Sequence, residues 1–280
     1  MSEEQKISAY ERVQLARDRN RPNIRDYIDH LFTGFFEQRG DRHSMDDAAV
    51  VGGIALLGSR PVTVIGHQKG RTLEENLRCN FGMPQPEGYR KAMRLMEQAE
   101  KFRRPVITFV DTPGAYPGLE AEQHGQGEAI ARSIQLMSGL TVPVISIVTG
   151  EGSSGGALAI SVANSLWMLE NSVYSVLSPE GFAAILWKDG TRAADAAELM
   201  RLTAADLLDY GLADRVISEP AGGFGGDCSG FYASLREQLE TELDRLSSQS
   251  PAALKHARYK KFRAIGRGKA GQAQRGNERR

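Results

Sequence analysis

Two stretches of this chain share one design: Pro105-Val-Ile-Thr-Phe-Val-Asp-Thr-Pro-Gly-Ala-Tyr-Pro-Gly118 and Pro143-Val-Ile-Ser-Ile-Val-Thr-Gly-Glu-Gly-Ser-Ser-Gly-Gly-Ala-Leu-Ala159. Each begins with proline, continues as a short run rich in Val and Ile, and ends in a glycine-rich turn. Such a run has the length and composition of a strand that is buried on both faces. Strands of this kind, each followed by a helix, predict an α/β fold built from stacked units.

The glycine-rich turns are the candidate functional elements. Glycine is typical where a backbone bends sharply or approaches a ligand closely. The second turn precedes the apolar stretch 157–163, so a helix is predicted to begin near Gly155. Consecutive backbone N–H groups at a strand-to-helix turn can hold an oxyanion or a phosphate. The pattern therefore predicts an enzyme that works mainly through backbone amides.

Other elements are predicted around this pair of strands. Residues 48–57 and 61–66 are strand-like and are separated by Gly58-Ser59-Arg60, which predicts a β-hairpin. Residues 67–87 have no clear period and predict a long, functional loop. Helices are predicted over 88–103, about 123–138, 192–200, 203–210 and 229–247.

The N-terminal region is predicted to be helical and the C-terminal tail to be basic. Apolar residues from Ile24 to Phe36 recur at helical spacing, which predicts a helix there. The predicted organisation is N-terminal helices over 1–40, a catalytic core over 41–220, a C-terminal helical region over 221–260 and a basic, disordered tail over 261–280.

Composition excludes several classes of protein. The 280 residues are 41% hydrophobic and 25% charged with zero formal net charge, which is typical of a soluble globular protein. The apolar runs are shorter than the roughly 18 residues of a membrane span, and the start lacks a signal-peptide core. We therefore expect a cytoplasmic protein without a membrane partner. Cys79 and Cys228 are too few for a zinc site, no metal is expected, and nucleic acid is not an expected partner.

Six motifs, in this order, resemble the α subunits of bacterial acetyl-CoA carboxylase carboxyltransferases. They are Gly66-His-Gln-Lys-Gly-Arg71, Asn80-Phe-Gly-Met-Pro84, Pro86-Glu-Gly-Tyr-Arg-Lys91, Asp111-Thr-Pro-Gly-Ala-Tyr-Pro-Gly118, Gly150-Glu-Gly-Ser-Ser-Gly-Gly-Ala-Leu-Ala159 and Ser178-Pro-Glu-Gly181. The resemblance spans about residues 10–260. It implies a crotonase-like (ClpP/crotonase) fold, a spiral of ββα units with flanking N- and C-terminal helices.

The resemblance also implies an activity and its partners. The expected reaction transfers the carboxyl group from carboxybiotin, delivered by the biotin carboxyl carrier protein, to acetyl-CoA. The product is malonyl-CoA, in the first committed step of fatty acid biosynthesis. Expected partners are a β subunit with a zinc ribbon, in an α2β2 assembly, and biotin carboxylase, whose separate step uses ATP.

The resemblance assigns roles to residues at the turns. Gly155 and Gly156 would supply the backbone oxyanion hole that faces biotin, while the thioester hole would belong to the β subunit. Residues expected to line the substrate site are Gly114, Ala115, Tyr116, Gly118, Gly152, Ser153 and Ser154. Ser153 stands where the family commonly has glycine, which bears on the geometry of this turn.

Two basic residues close to the hairpin are weaker candidates. Lys69 and Arg71 have the charge to meet a carboxylate or a CoA phosphate. A surface loop or a subunit contact explains them equally well. Glu151 is expected to form a local ion pair or cap and has no assigned catalytic role.

Three alternatives remain open at this point. Another acyl-CoA is a possible substrate, since a pocket discriminates one methylene by only about 1–3 kcal/mol. Gly152-Ser-Ser-Gly-Gly156 also fits the nucleophile motif of serine hydrolases, with Ser154 as nucleophile, but only His256 follows it. The third alternative is a non-catalytic assembly protein. Gly156→Val is expected to block the approach of biotin, so it should abolish carboxyl transfer by an enzyme while leaving assembly intact.

Overall fold

One mixed β-sheet organises the chain in the computed structural model, which describes residues 7–266. Its strands are β1 (Thr33–Glu37), β2 (Val50–Leu57), β3 (Arg60–His67), β4 (Val106–Thr112), β5 (Val144–Ser153), β6 (Ser165–Leu169), β7 (Val173–Ser175) and β8 (Arg215–Ile217). The strand order is β1-β2-β3-β4-β5-β6-β8, and β7 pairs with the far end of β5. The first two pairings are antiparallel and the rest are parallel.

Helices cover both faces of this sheet. They are α1 (Ala9–Ala16), α2 (Ile24–Leu31), α3 (Leu73–Arg78), α4 (Pro86–Phe102), α5 (Leu119–Gln123), α6 (Gln126–Gly139), α7 (Ser154–Leu158), α8 (Pro179–Trp187), α9 (Ala193–Met200), α10 (Ala204–Asp209), α11 (Ser229–Ser247) and α12 (Pro251–Ala264). The predicted hairpin is present as β2–β3, and the helices predicted over 88–103, 192–200, 203–210 and 229–247 are confirmed within a few residues. The helix predicted over about 123–138 corresponds to α6.

The sheet has a hydrophobic core on each face because successive strand residues point to opposite sides. In β4, Ile107 and Phe109 join the core formed with α2 and α11, whereas Val106 and Val110 join the core formed with α4 and α6. Every residue of β4 and β5 is buried, as the two Val/Ile runs predict. Because β4 and β5 pair in parallel, their carboxyl ends lie side by side at the same end of the sheet.

The N-terminal region is not wholly helical, contrary to prediction. An Asn23 capping box begins α2, but the helix ends at Leu31, and 33–37 form β1 against β2. Gly34 has φ +62°, a conformation that interrupts a right-handed helix, and Phe36 is 68% exposed. The helical spacing of Phe35 and Phe36 is therefore fortuitous.

The predicted loop over 67–87 contains a helix. Thr72 accepts a hydrogen bond from the Glu75 amide, and the Glu75 carboxylate accepts one from the Thr72 amide. This capping box begins α3, and a short 3₁₀ turn follows at Asn80–Gly82. The prediction of a continuous loop is wrong because a six-residue helix is too short to display hydrophobic periodicity.

The C-terminal helix extends beyond the predicted boundary at residue 260. Helix α12 ends at Ala264, and Lys261 within it forms an ion pair with Asp214. Arg258, also on α12, is buried and donates hydrogen bonds to the main-chain carbonyls of Met137 and Leu140. The remainder of the predicted tail, from residue 267, lies outside the described residues.

Candidate active site

The two glycine turns meet at the carboxyl ends of β4 and β5. These strands are parallel neighbours, and Thr112 at the end of β4 pairs with Gly152. A Cβ atom built on Gly156 would lie 2.6 Å from the amide nitrogen of Ala115 and 2.8 Å from the carbonyl carbon of Gly114. The structure therefore brings together the two motifs from which the sequence predicted a site.

The first turn is held by a buried threonine. The Thr112 hydroxyl donates to the Gly114 carbonyl at 2.7 Å and accepts from the Gly114 amide at 3.1 Å. Gly114 has φ +144°, which L side chains rarely adopt, so glycine is required here. The turn is consequently fixed from within, while Ala115 stays half-buried beside Gly156.

The second turn carries amides without side-chain acceptors. Ser153, the residue before α7, makes no side-chain cap, and no side chain among residues 7–266 accepts from the amides of Ser154, Gly155 or Gly156. The first N–H groups of a helix have no acceptor within the helix. Ser154 is exposed with φ +60°, Gly155 is half-buried and Gly156 is buried. These amides are therefore available hydrogen-bond donors in the second turn.

The short length of α7 modifies one prediction. The helix has five residues, from Ser154 to Leu158, fewer than the apolar stretch 157–163 indicated. A helix dipole grows from aligned peptide units, so α7 contributes less to anion binding than a long helix would. The individual N–H groups, and not the dipole, are therefore the main means by which this turn could bind an anion.

Tyr116 and Gly118 shape the outer end of the first turn. The Tyr116 amide donates to the Pro84 carbonyl at 3.0 Å, and Gln126 donates to the carbonyls of both Pro84 and Tyr116. A Cβ on Gly118 would lie 2.3 Å from Cε1 of Tyr116. The Tyr116 ring thus packs on its own turn, and its contact with substrate stays a prediction.

Lys69 lies in an ion-pair network at the strand ends that precede the turns. Its ammonium is 2.7 Å from Oδ1 of Asp111 and 2.9 Å from Oε2 of Glu151, and Arg17 also binds Glu151 at 2.7 Å. Burial alone would lower the pKa of Lys69, but the two carboxylates raise it above its usual value. Likewise burial would raise the pKa of Glu151, but Lys69 and Arg17 lower it. The expected local ion pair of Glu151 is confirmed, and Lys69 is already engaged by protein carboxylates.

The same network couples the ends of β4 and β5. Asp111 Oδ1 accepts from the Glu151 amide at 2.9 Å, while the Asp111 amide donates to Nδ1 of His67 at 3.3 Å. His67 is therefore a neutral acceptor; burial first, and Lys69 second, lower its pKa to about 3. Arg17 was missed by sequence reasoning because 134 residues separate it from Glu151.

Arg71 has a local partner. Its guanidinium lies 2.7 Å from Asp26 of α2, and its side chain is 55% exposed. The Arg71 amide donates to Glu75, so this residue also supports the start of α3. Its proposed contact with substrate stays a prediction.

Ser154 lacks the partners of a hydrolase nucleophile. Its hydroxyl makes no hydrogen bond to a histidine anywhere in the described residues. His256 lines a different cavity, of about 570 Å³, with Ile134, Leu158 and Phe262. A nucleophilic serine needs a base within hydrogen-bond reach. The geometry therefore gives no support to the hydrolase alternative.

Comparison with known proteins identifies the family. Residues 2–266 match the model of the acetyl co-enzyme A carboxylase carboxyltransferase-like family. The chain belongs to this family. It is a carboxyltransferase subunit of the α type, which acts in acetyl-CoA carboxylation, and the activity expected from the six motifs is confirmed at this level.

Two relatives illustrate the match. The chain is 57% identical over 267 residues to the acetyl-coenzyme A carboxylase carboxyl transferase subunit alpha of Clostridium acetobutylicum, covering 95% of this chain and 97% of that protein. It is 54% identical over 262 residues to the subunits beta/alpha protein of Natranaerobius thermophilus, covering 94% of this chain but 43% of that protein. The present chain thus corresponds to the α part of that protein, which combines both subunits in one chain.

Solved structures establish the same fold at low identity. The transcarboxylase 12S core superposes with a TM-score of 0.67 at 18% identity, over 85% of this chain and 45% of that chain. A Pseudomonas malonate decarboxylase hetero-tetramer gives 0.66 at 17% identity, over 84% and 91%. The predicted α/β, crotonase-like fold with flanking helices is therefore confirmed.

Within residues 7–266 no helix combines the length and apolar character needed to cross a bilayer. Within the same residues, no group of three or more His, Cys, Asp or Glu side chains is placed to hold a metal ion.

Proposed function

We propose that this chain supplies the biotin-facing half of a carboxyltransferase site in the cytoplasm. The reaction would move the carboxyl group from carboxybiotin, carried by the biotin carboxyl carrier protein, to acetyl-CoA, giving malonyl-CoA. The observation that carries the proposal is the meeting of the two glycine turns, where the amides of Gly155 and Gly156 lack side-chain acceptors in the described chain.

The turn residues fit an oxyanion of the ureido type. Release of the carboxyl group leaves negative charge on the ureido oxygen of biotin, and two adjacent N–H groups can bind such an atom without titrating. A Cβ on Gly155 would contact only Ile130, at 3.4 Å, so the space beside Gly155 is otherwise open. Each such donor contributes about 2.7–4 kcal/mol to transition-state stabilisation in known enzymes.

The charges around the turns favour backbone amides, and not a side-chain cation, as the groups that stabilise the oxyanion. Lys69 lies between Asp111 and Glu151, which balance its charge. Arg17 is similarly bound by Glu151 and by Glu180. The proposed role of this network is to fix the strand ends from which the two turns project. The assigned substrate-lining residues, Gly114 and Ala115 in one turn and Gly152, Ser153 and Ser154 in the other, then form the two walls.

A β subunit is proposed to complete the site and to hold the acetyl-CoA thioester. Large apolar side chains are exposed near the site residues in sequence: Leu73 by 70%, Leu77 by 60% and Leu119 by 75%. Exposed apolar groups of this kind are typical of a surface that another protein covers. An α2β2 assembly, with the zinc ribbon on the β subunit, is the arrangement that the family resemblance implies.

The reverse reaction tests this proposal directly. Malonyl-CoA and free biocytin are incubated with this chain alone and with the chain co-expressed with its β subunit, and acetyl-CoA is measured. We expect activity only from the complex. Activity of the isolated chain would mean that it holds both oxyanion sites, while an assembled but inactive complex would refute the assignment of acetyl-CoA and malonyl-CoA as substrates.

A further inference from the structure

A buried tyrosine hydroxyl lies directly beneath the two turns. Tyr89, on α4, is fully buried, and its Oη has no hydrogen-bond partner among the residues that the structure describes. Burial raises the pKa of Tyr89 well above its usual value, so the group remains an O–H donor at any physiological pH. Leaving a buried polar group unpaired costs about 1–3 kcal/mol, so its retention calls for a reason.

The position of this hydroxyl ties it to both turns. The point at which Gly156 would carry a Cβ lies 2.9 Å from the Tyr89 hydroxyl, 2.6 Å from the Ala115 amide nitrogen and 2.8 Å from the Gly114 carbonyl carbon. The Tyr89 ring also packs in one cluster with Ala129 and Ala159, and Ala115 packs against that cluster. Any movement of one turn relative to the other therefore changes the surroundings of this hydroxyl.

An acceptor for the hydroxyl exists in the first turn. The Gly114 carbonyl accepts one hydrogen bond, from Thr112, and a carbonyl oxygen has two lone pairs. The Tyr89 hydroxyl lies 2.9 Å and the Gly114 carbonyl carbon 2.8 Å from the same point, so the two groups are neighbours, and a displacement of the first turn towards α4 would pair them. The present arrangement leaves this bond unmade.

We propose that Tyr89 is a positioning residue for carboxyl transfer. Its hydroxyl forms its hydrogen bond to the Gly114 carbonyl as negative charge develops on the ureido oxygen at the turns, and this bond holds Ala115 and Gly156 in the productive arrangement. The inference rests on the proposed function of the turns. It differs from a packing role because the bond stabilises the transition state of carboxyl transfer and leaves the free chain with an unsatisfied group.

Tyr89→Phe in the complex with the β subunit tests this inference. The variant removes the hydroxyl and keeps the ring, so we expect the melting temperature of the complex to stay equal or rise. We expect kcat of the reverse reaction to fall about tenfold. KM for malonyl-CoA and biocytin should stay within about twofold of the wild-type values, as for an interaction made only in the transition state.

Tyr27→Phe is the matched control. The Tyr27 hydroxyl is also buried and unpaired among the described residues, but its ring stacks on Phe109 in the core between the sheet and α2. Its loss should leave kcat unchanged.

The inference is overturned if Tyr89→Phe keeps the wild-type kcat, or if a lower kcat comes with a lower melting temperature, as a packing role requires. An equal loss of kcat in Tyr27→Phe would also refute it. An inactive wild-type complex refutes the proposed function itself, and with it this inference, whereas an active wild type with an unaffected Tyr89→Phe refutes only the role of the hydroxyl.

Discussion

Gly156 packs against Ala115 so closely that a Cβ on Gly156 would lie 2.6 Å from the Ala115 amide nitrogen. The two turns can therefore touch only because residue 156 has no side chain. This changes the expected effect of Gly156→Val: the valine would push the turns apart instead of only blocking biotin. Substitutions at Gly156 thus report on the spacing of the turns.

Gly156→Ala should abolish most of the transfer activity. The added methyl group displaces backbone atoms of Gly114 and Ala115, so the amide donors lose their alignment, and the loss of one such donor lowers kcat about 10²–10³-fold. The measurement is kcat of the reverse reaction in the complex with the β subunit. Gly127→Ala, on α6, is the control because its Cβ would meet nothing within 4 Å, and it should keep full activity. Equal rates in both variants would remove the turn contact from the mechanism.

Ser154→Ala should retain much of the carboxyltransferase rate. The Ser154 hydroxyl has no histidine partner in the described chain, and the proposed chemistry uses the backbone of this turn. Alanine and serine are both strained at φ +60°, so the substitution adds no new backbone strain to the turn. The assay follows both malonyl-CoA-dependent transfer and hydrolysis of a simple ester. Ester hydrolysis by the wild type that disappears in the variant would revive the hydrolase alternative.

Acidification from pH 7 to pH 5 should destabilise the fold through His67. Its pKa is about 3 in the folded chain against an ordinary 6.5, so in this window the unfolded chain binds a proton that the folded chain does not. The stability associated with neutral His67 is present above about pH 6.5 and is lost as the pH falls, by about 2 kcal/mol at pH 5.

Urea unfolding at both pH values measures this loss. His67→Asn, which retains an acceptor for the Asp111 amide, should show a smaller decrease between pH 7 and pH 5 than the wild type. His43→Gln, at an exposed position, should show the wild-type decrease. Identical pH dependence in the wild type and His67→Asn would contradict the assignment.

Arg258→Met should weaken the fold by about 3 kcal/mol, since it leaves buried carbonyl groups without donors. The guanidinium donates to the carbonyls of Met137 at 2.9 Å and Leu140 at 2.7 Å, where α6 ends. Burial lowers the pKa of Arg258 to about 10, so the group stays charged at neutral pH. The free energy of unfolding in urea is the readout. Lys260→Met, on the exposed side of α12, should change it by less than about 0.5 kcal/mol; a similar loss in both variants would contradict the specific role of Arg258.

Local signals predicted the elements that carry the site. The Val/Ile runs after Pro105 and Pro143 predicted β4 and β5, and the glycines after each run predicted the turns. Where a local signal was short, prediction failed. Thr72 and Glu75 have the spacing of a capping box, but a helix of six residues has no hydrophobic period to accompany it, so the sequence did not predict α3.

The amino-acid sequence by itself determined the family, the α/β class and the candidate donors Gly155 and Gly156, because periodicity, proline and glycine act over a few residues. Only the tertiary structure decided which groups surround those donors. Lys69, Asp111 and Glu151 are far apart in sequence and meet only because β3, β4 and β5 lie side by side. Tyr89 reads in sequence as one apolar position of a helix, and its unpaired hydroxyl under Gly156 became visible only once α4 was packed against both turns.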